Sequence, residues 1–437
     1  MPAWFPRVAP TGRLVALVAL GAVPVALVPG PWPAVAWAVL VVVLAAVDVA
    51  LAADPRRLGL ERTVPAGVRL GEAVTSELVV TNPGPRRLRG LVRDAWSPSA
   101  GAGVDRHAVD VPAGERRRVA TPLRPTRRGD RAADLVTVRS RGPLGLLARQ
   151  RSLPAPATVR VLPHFRSRRH LPSRLARLRD LEGRSAVQVR GQGTEFDSLR
   201  EYVQGDDVRS IDWRATARRQ DLVVRTWRPE RDRRVLLVLD TSRTAAGRVG
   251  DAPRLDAAMD AALLLAALAS RAGDRVDLVA LDRRVRARVE RADRAALLPA
   301  LVQAMAPLEA RLVEADWSLA ARTVRTALTR RALVVLLTPL EPAAVEEGLL
   351  PVLGSLSSRH QVLVAAVTDP RLEEMRAARG DVAEVYDAAA AERTVLETDR
   401  LVERLARDGV HVVRGTPEEL PPRLADAYLA LKAAGRL

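Results

Sequence analysis

Cysteine is absent from the 437 residues. That excludes a disulfide scaffold, a thiol nucleophile and any cysteine-ligated zinc or iron–sulfur centre. Histidine is scarce. His107, His164, His170, His360 and His411 are scattered, with no HExxH spacing to hold a catalytic zinc. Aromatic residues are 3% of the chain, a thin supply for base-stacking platforms. No GxxxxGK[ST] sequence occurs, so nucleotide hydrolysis through a P-loop is excluded. Lysine is nearly missing as well, with Lys432 the single example.

Arginine is abundant, and the formal net charge is +18. Its distribution matters more than its size. Residues 54–162 hold 21 cations against 10 acids, and residues 163–234 hold 18 against 11. Residues 235–437 are near neutral, with 28 cations against 29 acids. With few aromatics and no zinc finger, helix-turn-helix or RNA-binding signature, this gradient argues against nucleic acid. It suits a segment lying close to anionic lipid.

The length suits two to three domains. Residues 1–55 read as a membrane hairpin. Leu14 to Val28 is apolar and uncharged, Pro29-Gly30-Pro31 breaks it, and Trp32 to Ala53 is a second apolar run interrupted only by Asp48. The second run is long enough for a hydrocarbon core of about 30 Å. Arg7 and Arg13 precede the pair and Arg56, Arg57 and Arg62 follow it. The positive-inside rule then places both ends and the soluble domains in the cytoplasm, at the inner membrane. A cleaved signal peptide is the alternative, with its apolar region at 14–28 and small residues at Ala34 and Ala36.

Residues 56–162 read as a small β-sandwich. Short β-prone runs (Ser76 to Val80, Arg116 to Thr121, Asp134 to Val138, Thr158 to Val161) alternate with Pro/Gly-rich turns. No catalytic group stands out there. Residues 163–185 form a basic connector. Arg166, Arg168, Arg169, Arg174, Arg177 and Arg179 flank an apolar stripe of Leu171, Leu175 and Leu178. The stripe serves either as packing against the next domain or as an amphipathic contact with an anionic leaflet.

Residues 186–437 hold an α/β domain. Val235 to Asp240 is a continuous apolar run ending in an acid, as a buried parallel strand requires. Strand-like segments at Val276 to Leu281, Ala332 to Thr338, Gln361 to Thr368 and Val410 to Val413 alternate with helical patterns. The expectation is a doubly wound parallel sheet. Groups just past the carboxyl ends of its strands would line a crevice. Asp240, Ser242 and Thr244 lie there, an acid and two hydroxyls that can converge on a hard cation such as Mg²⁺.

Upstream lies a dense signature: Glu195, Phe196, Asp197, Arg200, Glu201 and Tyr202, then Gly205, Asp206, Asp207, Arg209, Asp212, Trp213 and Arg218. Alternating charges mixed with aromatics permit three roles, ranked in this order. They are a structural ion-pair network, a partner-recognition surface and a catalytic acidic cluster. Catalysis ranks last because no nucleophile–base pair accompanies the carboxylates.

Two resemblances follow from these residues. The Asp240-Thr241-Ser242-Arg243-Thr244 loop resembles the first motif of the metal-ion-dependent adhesion site of von Willebrand factor A-like domains. The stretch from Gly193 to Arg225 resembles the signature of the bacterial family called domain of unknown function 58. That family joins a membrane hairpin, a β-rich segment and a von Willebrand factor A-like domain. Its members are commonly encoded beside MoxR-type AAA+ ATPases. The resemblance implies a membrane-anchored interaction or scaffold protein, not an enzyme, with such an ATPase as partner in assembling or remodelling other proteins. A cation-assisted envelope enzyme is the alternative. The adhesion-site resemblance calls for further ligands. Ala315 stands where a Thr is expected and Pro339 where an Asp is, with Asp316, Ser318 and Thr338 as substitutes. Weak or absent Mg²⁺ binding is therefore expected.

Overall fold

The computed structural model describes residues 7–188, 195–204, 206–219, 221–228 and 233–437. The chain forms two compact units, Met1–Leu162 and Pro163–Leu437. The apolar N-terminus thus belongs with the β-rich segment in one unit, and the basic connector belongs with the α/β domain in the other.

In the first unit, a strand at Arg7–Pro10 leads into short apolar helices at Gly12–Leu20 and Ala22–Leu27. Gly30, at φ 121°, turns the chain where the Pro-Gly-Pro break was expected, a conformation that suits glycine alone. The helix Trp32–Leu51 follows. Trp32–Arg57 is the one stretch of the described residues long and apolar enough to cross a membrane, with a mean hydropathy of 2.6. The first apolar run yields the shorter helices instead, because Pro24 cannot donate to the Leu20 carbonyl and the helix breaks at Gly21. Trp37 Nε1 donates to the Leu17 carbonyl at 3.1 Å, which holds the long helix against the first short one.

Two sheets, antiparallel except for one short parallel strand at Gly67–Arg69, make up the rest of this unit. One carries Gly59–Thr63, Val74–Thr81 and Arg116–Leu123. The other is ordered Arg7–Pro10, Leu147–Leu162, Gly129–Arg141, Leu88–Asp94, Arg106–Val111, with Gly67–Arg69 added to the Leu147–Leu162 strand. Alternate side chains such as Leu78, Val80, Val92, Val136 and Val138 point between the sheets and form their common core. A buried ion pair crosses it. Arg62 from the smaller sheet reaches Asp94 of the larger at 2.5 Å, with neither side chain exposed, and stacks 5.4 Å from the Trp96 ring. Each strand predicted here from sequence lies inside a longer observed strand.

Asp48, near the end of the long helix, is fully buried. Its carboxylate accepts the backbone N–H groups of Leu144, Gly145, Leu146 and Leu147 at 2.8, 3.1, 2.7 and 3.0 Å. Thr11 Oγ1 donates to the Gly145 carbonyl of the same turn at 2.6 Å. Both ends of the helical segment are thus tied to one turn of the larger sheet.

The second unit is built on a six-stranded sheet. In chain order its strands are Arg234–Asp240, Arg275–Leu281, Val285–Val289, Leu333–Leu337, Gln361–Val367 and His411–Gly415. In the sheet they lie as third, second, first, fourth, fifth and sixth. Five are parallel, and the third is an antiparallel edge strand. The wholly parallel expectation missed that strand. Val285, Ala287 and Val289 alternate with arginines, a half-buried pattern that suits an edge.

The helices Arg254–Arg271 and Leu420–Ala433 pack together. Lys432, the chain's single lysine, bonds Asp274 at 2.8 Å, and Tyr428 donates to the same carboxylate at 2.5 Å. The connector is a helix, Leu171–Gln188, entered by a tight turn at Arg166–His170. Leu178 is buried, Arg174 and Arg177 both reach Asp426, and Ser167 Oγ donates to Asp260 at 2.8 Å. The connector therefore packs on the α/β domain, the first of the two roles open to its stripe.

Candidate functional site

The strand order reverses between Arg234–Asp240 and Leu333–Leu337, the first and fourth strands. At such a switch point the connecting helices leave to opposite faces and a crevice opens at the carboxyl ends. Asp240 closes one of these strands and Thr338 follows the other. The two side chains meet, with Thr338 Oγ1 donating to Asp240 Oδ2 at 2.7 Å. Thr244 Oγ1 donates to the same oxygen at 3.0 Å, and the Ser242 N–H donates to Oδ1 at 2.8 Å. Ser242 Oγ and Thr244 Oγ1 lie 3.1 Å apart. All four residues are buried. Asp240, Ser242 and Thr244 are therefore brought together as the sequence suggested, and Thr338 completes the set.

The cavity beside them is about 10 Å³, room for roughly one water. Arg254 and Pro339 share its lining. Glu341, from the same loop as Thr338, faces Arg254 at 3.0 Å and Arg243 at 3.7 Å rather than Asp240. Asp316 caps the helix Trp317–Ala327 by accepting the Leu319 N–H at 2.7 Å. Arg254 was not singled out from sequence. It opens a helix, and nothing in its local pattern tells a site arginine from an ordinary surface one.

Would this set hold Mg²⁺? Mg²⁺ takes six oxygens, from one or two carboxylates with neutral oxygens and waters in the remaining positions. Here there is one carboxylate with both oxygens already accepting hydrogen bonds, three hydroxyls, and a guanidinium on the cavity wall. Among the described residues no group of three acids or histidines could hold a metal ion. The donor set does not fit a tightly held divalent cation. What it does do is close the switch-point crevice. One buried carboxylate ties the loop after the first strand to the loop after the fourth.

The signature forms a separate element. The strand Glu195–Glu201 pairs antiparallel with Val223–Arg228, and a short helix, Trp213–Arg219, lies between them. Arg200 grips Asp206 with two bonds, 2.7 and 2.6 Å. That grip, with the Val203 N–H, holds the Asp206 carboxyl below the usual carboxylate range. Asp212 accepts the Ala215 and Arg214 N–H groups at the start of the short helix and bonds Arg225 at 2.8 Å. These contacts lower its pKa too, the Ala215 N–H foremost. Asp207 accepts the Arg209 N–H at 3.0 Å, starting another tight turn. Tyr202 is half-buried, and its N–H donates to Leu222 O at 2.8 Å. Trp213, Val203 and Val208 are 66%, 62% and 60% exposed, and Arg209 and Arg218 are exposed beside them in sequence. Gly205 and the side chains of Glu195, Phe196 and Asp197 lie outside the described residues. The segment thus divides by residue. Arg200, Asp206, Asp212 and Arg225 build it around the buried Val223 and Val224, and Trp213, Val203 and Val208 face outward.

Residues 198–411 match the family described as Protein of unknown function DUF58. The DUF58 match runs from the signature strand into the last strand of the six-stranded sheet, so it includes both Asp240 and Thr338. Uncharacterised proteins of Mycobacterium bovis and Mycobacterium tuberculosis are 29% identical over 204 residues, 45% of this chain. The similarity spans 61% of those relatives' length. Among solved structures, the CARDB domain of the PF1109 protein from Pyrococcus furiosus covers 24% of this chain and 86% of its own, at 19% identity and a TM-score of 0.18. A β-glucosidase from Listeria innocua covers 22% of this chain and 16% of its own, at 14% identity and a TM-score of 0.15. Likenesses this slight carry no argument about fold or function.

Proposed function

We propose that the protein is a membrane-anchored cytoplasmic interaction protein whose C-terminal domain is von Willebrand factor A-like and recruits a MoxR-type AAA+ ATPase. In this reading the N-terminal helices form a two-span hairpin in the inner membrane. The soluble domains and both ends then lie in the cytoplasm. The mostly parallel sheet with one antiparallel edge, and the Asp240 loop at its switch point, support the von Willebrand factor A-like assignment. The basic excess between the hairpin and Asp240 supports the inner-leaflet location.

The observation that carries the functional reading is the outward face of the signature. Asp206, Asp207 and Asp212 are engaged in ion pairs and turn caps, whereas Trp213, Val203 and Val208 face solvent with Arg209 and Arg218 close by in sequence. Exposed Trp and Arg on a rigid support are favoured at binding hot spots. A catalytic cluster would need free carboxylates, and Asp206 and Asp212 are not free. The test is affinity purification of the full chain from native membranes, with Arg209→Glu and Trp213→Ala as variants. An AAA+ ATPase should co-purify with the wild type and be lost from both variants. Equal recovery with all three would defeat the assignment of this surface.

A further inference from the structure

The last turn of the long helix ends above a cavity of about 300 Å³, lined by Ala52, Ala53, Asp54, Arg57, Arg86 and Arg149 among others. That volume matches a small-molecule site. Its walls are fixed by the fold. Asn82, 2% exposed, donates to the carbonyls of Arg86 and Val111 at 2.8 and 3.1 Å and accepts the Gly84 N–H at 3.2 Å, which shapes the turn carrying Arg86. Arg86 in turn donates to the Ala50 carbonyl at the helix end. Arg149 comes from the strand after the Asp48 turn, and its buried Nε has no hydrogen-bond partner. Arg57 is exposed at the rim. Three guanidinium groups against the single Asp54 carboxylate leave a net charge of +2 facing a polar cavity.

Position decides what such a cavity would meet. Val35, Val39, Val42, Val43 and Val47 are exposed along the helix, and this apolar surface ends at Leu51. The cavity begins at the next residue. In a bilayer, the first turn beyond the hydrocarbon core lies among the headgroups. We propose that this cavity binds the phosphate of an anionic phospholipid headgroup, with Arg57, Arg86 and Arg149 as its cationic wall. A doubly charged headgroup matches the local charge. The inference rests on the membrane reading above.

The full chain, purified in mild detergent, is titrated with cardiolipin, with phosphatidylcholine and with inorganic phosphate, and bound lipid is counted by native mass spectrometry. Cardiolipin should bind saturably, phosphatidylcholine should not, and phosphate should compete weakly. Arg57→Glu should weaken cardiolipin roughly 25-fold, about fivefold for each unit of charge changed, and Arg149→Gln about fivefold. Arg57→Lys should restore most of the binding, which separates charge from misfolding. Unchanged cardiolipin affinity in both charge variants overturns the site, and phosphate binding as tightly as cardiolipin overturns the lipid assignment. Alkaline carbonate extraction of membranes tests the premise separately. If the wild-type chain washes off, the membrane reading fails and the site falls with it. If it stays while the variants bind lipid normally, only the site is lost.

Discussion

Asp240 would pass for a metal ligand on sequence, and its surroundings give it another task. Three donors converge on it, so Asp240→Ala leaves the Ser242 N–H and the Thr244 and Thr338 hydroxyls buried without their acceptor. The expected loss is about 3 kcal/mol of unfolding free energy, measured by chemical denaturation. A loss under about 0.5 kcal/mol would mean that the loops are held by something else. Titration calorimetry with Mg²⁺ should give no micromolar binding in the wild type, and such binding abolished by Asp240→Ala would reverse this view of the site. Asp260 supplies a pH test. Burial raises its pKa above the ordinary carboxylate value, against the opposing bonds from Ser167. The native state therefore holds a proton that the unfolded chain releases, and stability falls as pH rises from the ordinary value through the raised one. Asp260→Asn removes that dependence. The melting temperature of the variant minus that of the wild type should grow between pH 4 and pH 7. A difference that stays flat or shrinks would contradict the assigned direction.

Among the elements, those with a single strong signal were legible in the sequence. The run ending at Asp240 became the observed strand almost residue for residue, because it is buried on nearly every side. The edge strand Val285–Val289 was missed because its arginines mask an alternation of only three apolar residues. The partners of Asp48 were beyond reach for a different reason. A lone acid in an apolar run announces a buried contact but not its address, and the N–H groups it receives lie 96 to 99 residues away. Replacing Asp48 with Ala removes the acceptor for four backbone donors. Amide exchange in the 144–147 turn should then speed up by at least tenfold relative to the strands beside it. Unchanged protection would show that the turn holds its shape without the helix. In the signature element, Arg200 and Asp206 form a bidentate pair whose acid has a lowered pKa. The stabilisation is present above the ordinary carboxylate range and is lost as pH falls through the depressed value.

For the whole molecule, the division at Leu162 matches the sequence boundary between β-rich segment and connector, yet the two units recruit their neighbours differently from the sequence segments. Composition separates apolar from β-rich and basic from α/β. Packing joins them, since the Asp48 turn and the Asp260 and Asp426 contacts are side-chain events that composition does not record. Protease added outside spheroplasts should leave the C-terminus intact if the proposed topology holds, and digestion from outside would exclude it. The Asp48 contact also bears on how the chain is made. At a synthesis rate of about 5–20 residues per second, the carboxylate waits roughly 5–20 s for the turn that will receive it. In the membrane-anchored reading proposed above, that interval leaves an unmatched acid within the segment that enters the bilayer. The early intermediate is therefore the vulnerable one, and the helix reaches its settled state only after the turn that opens the last strand of its own unit has been translated.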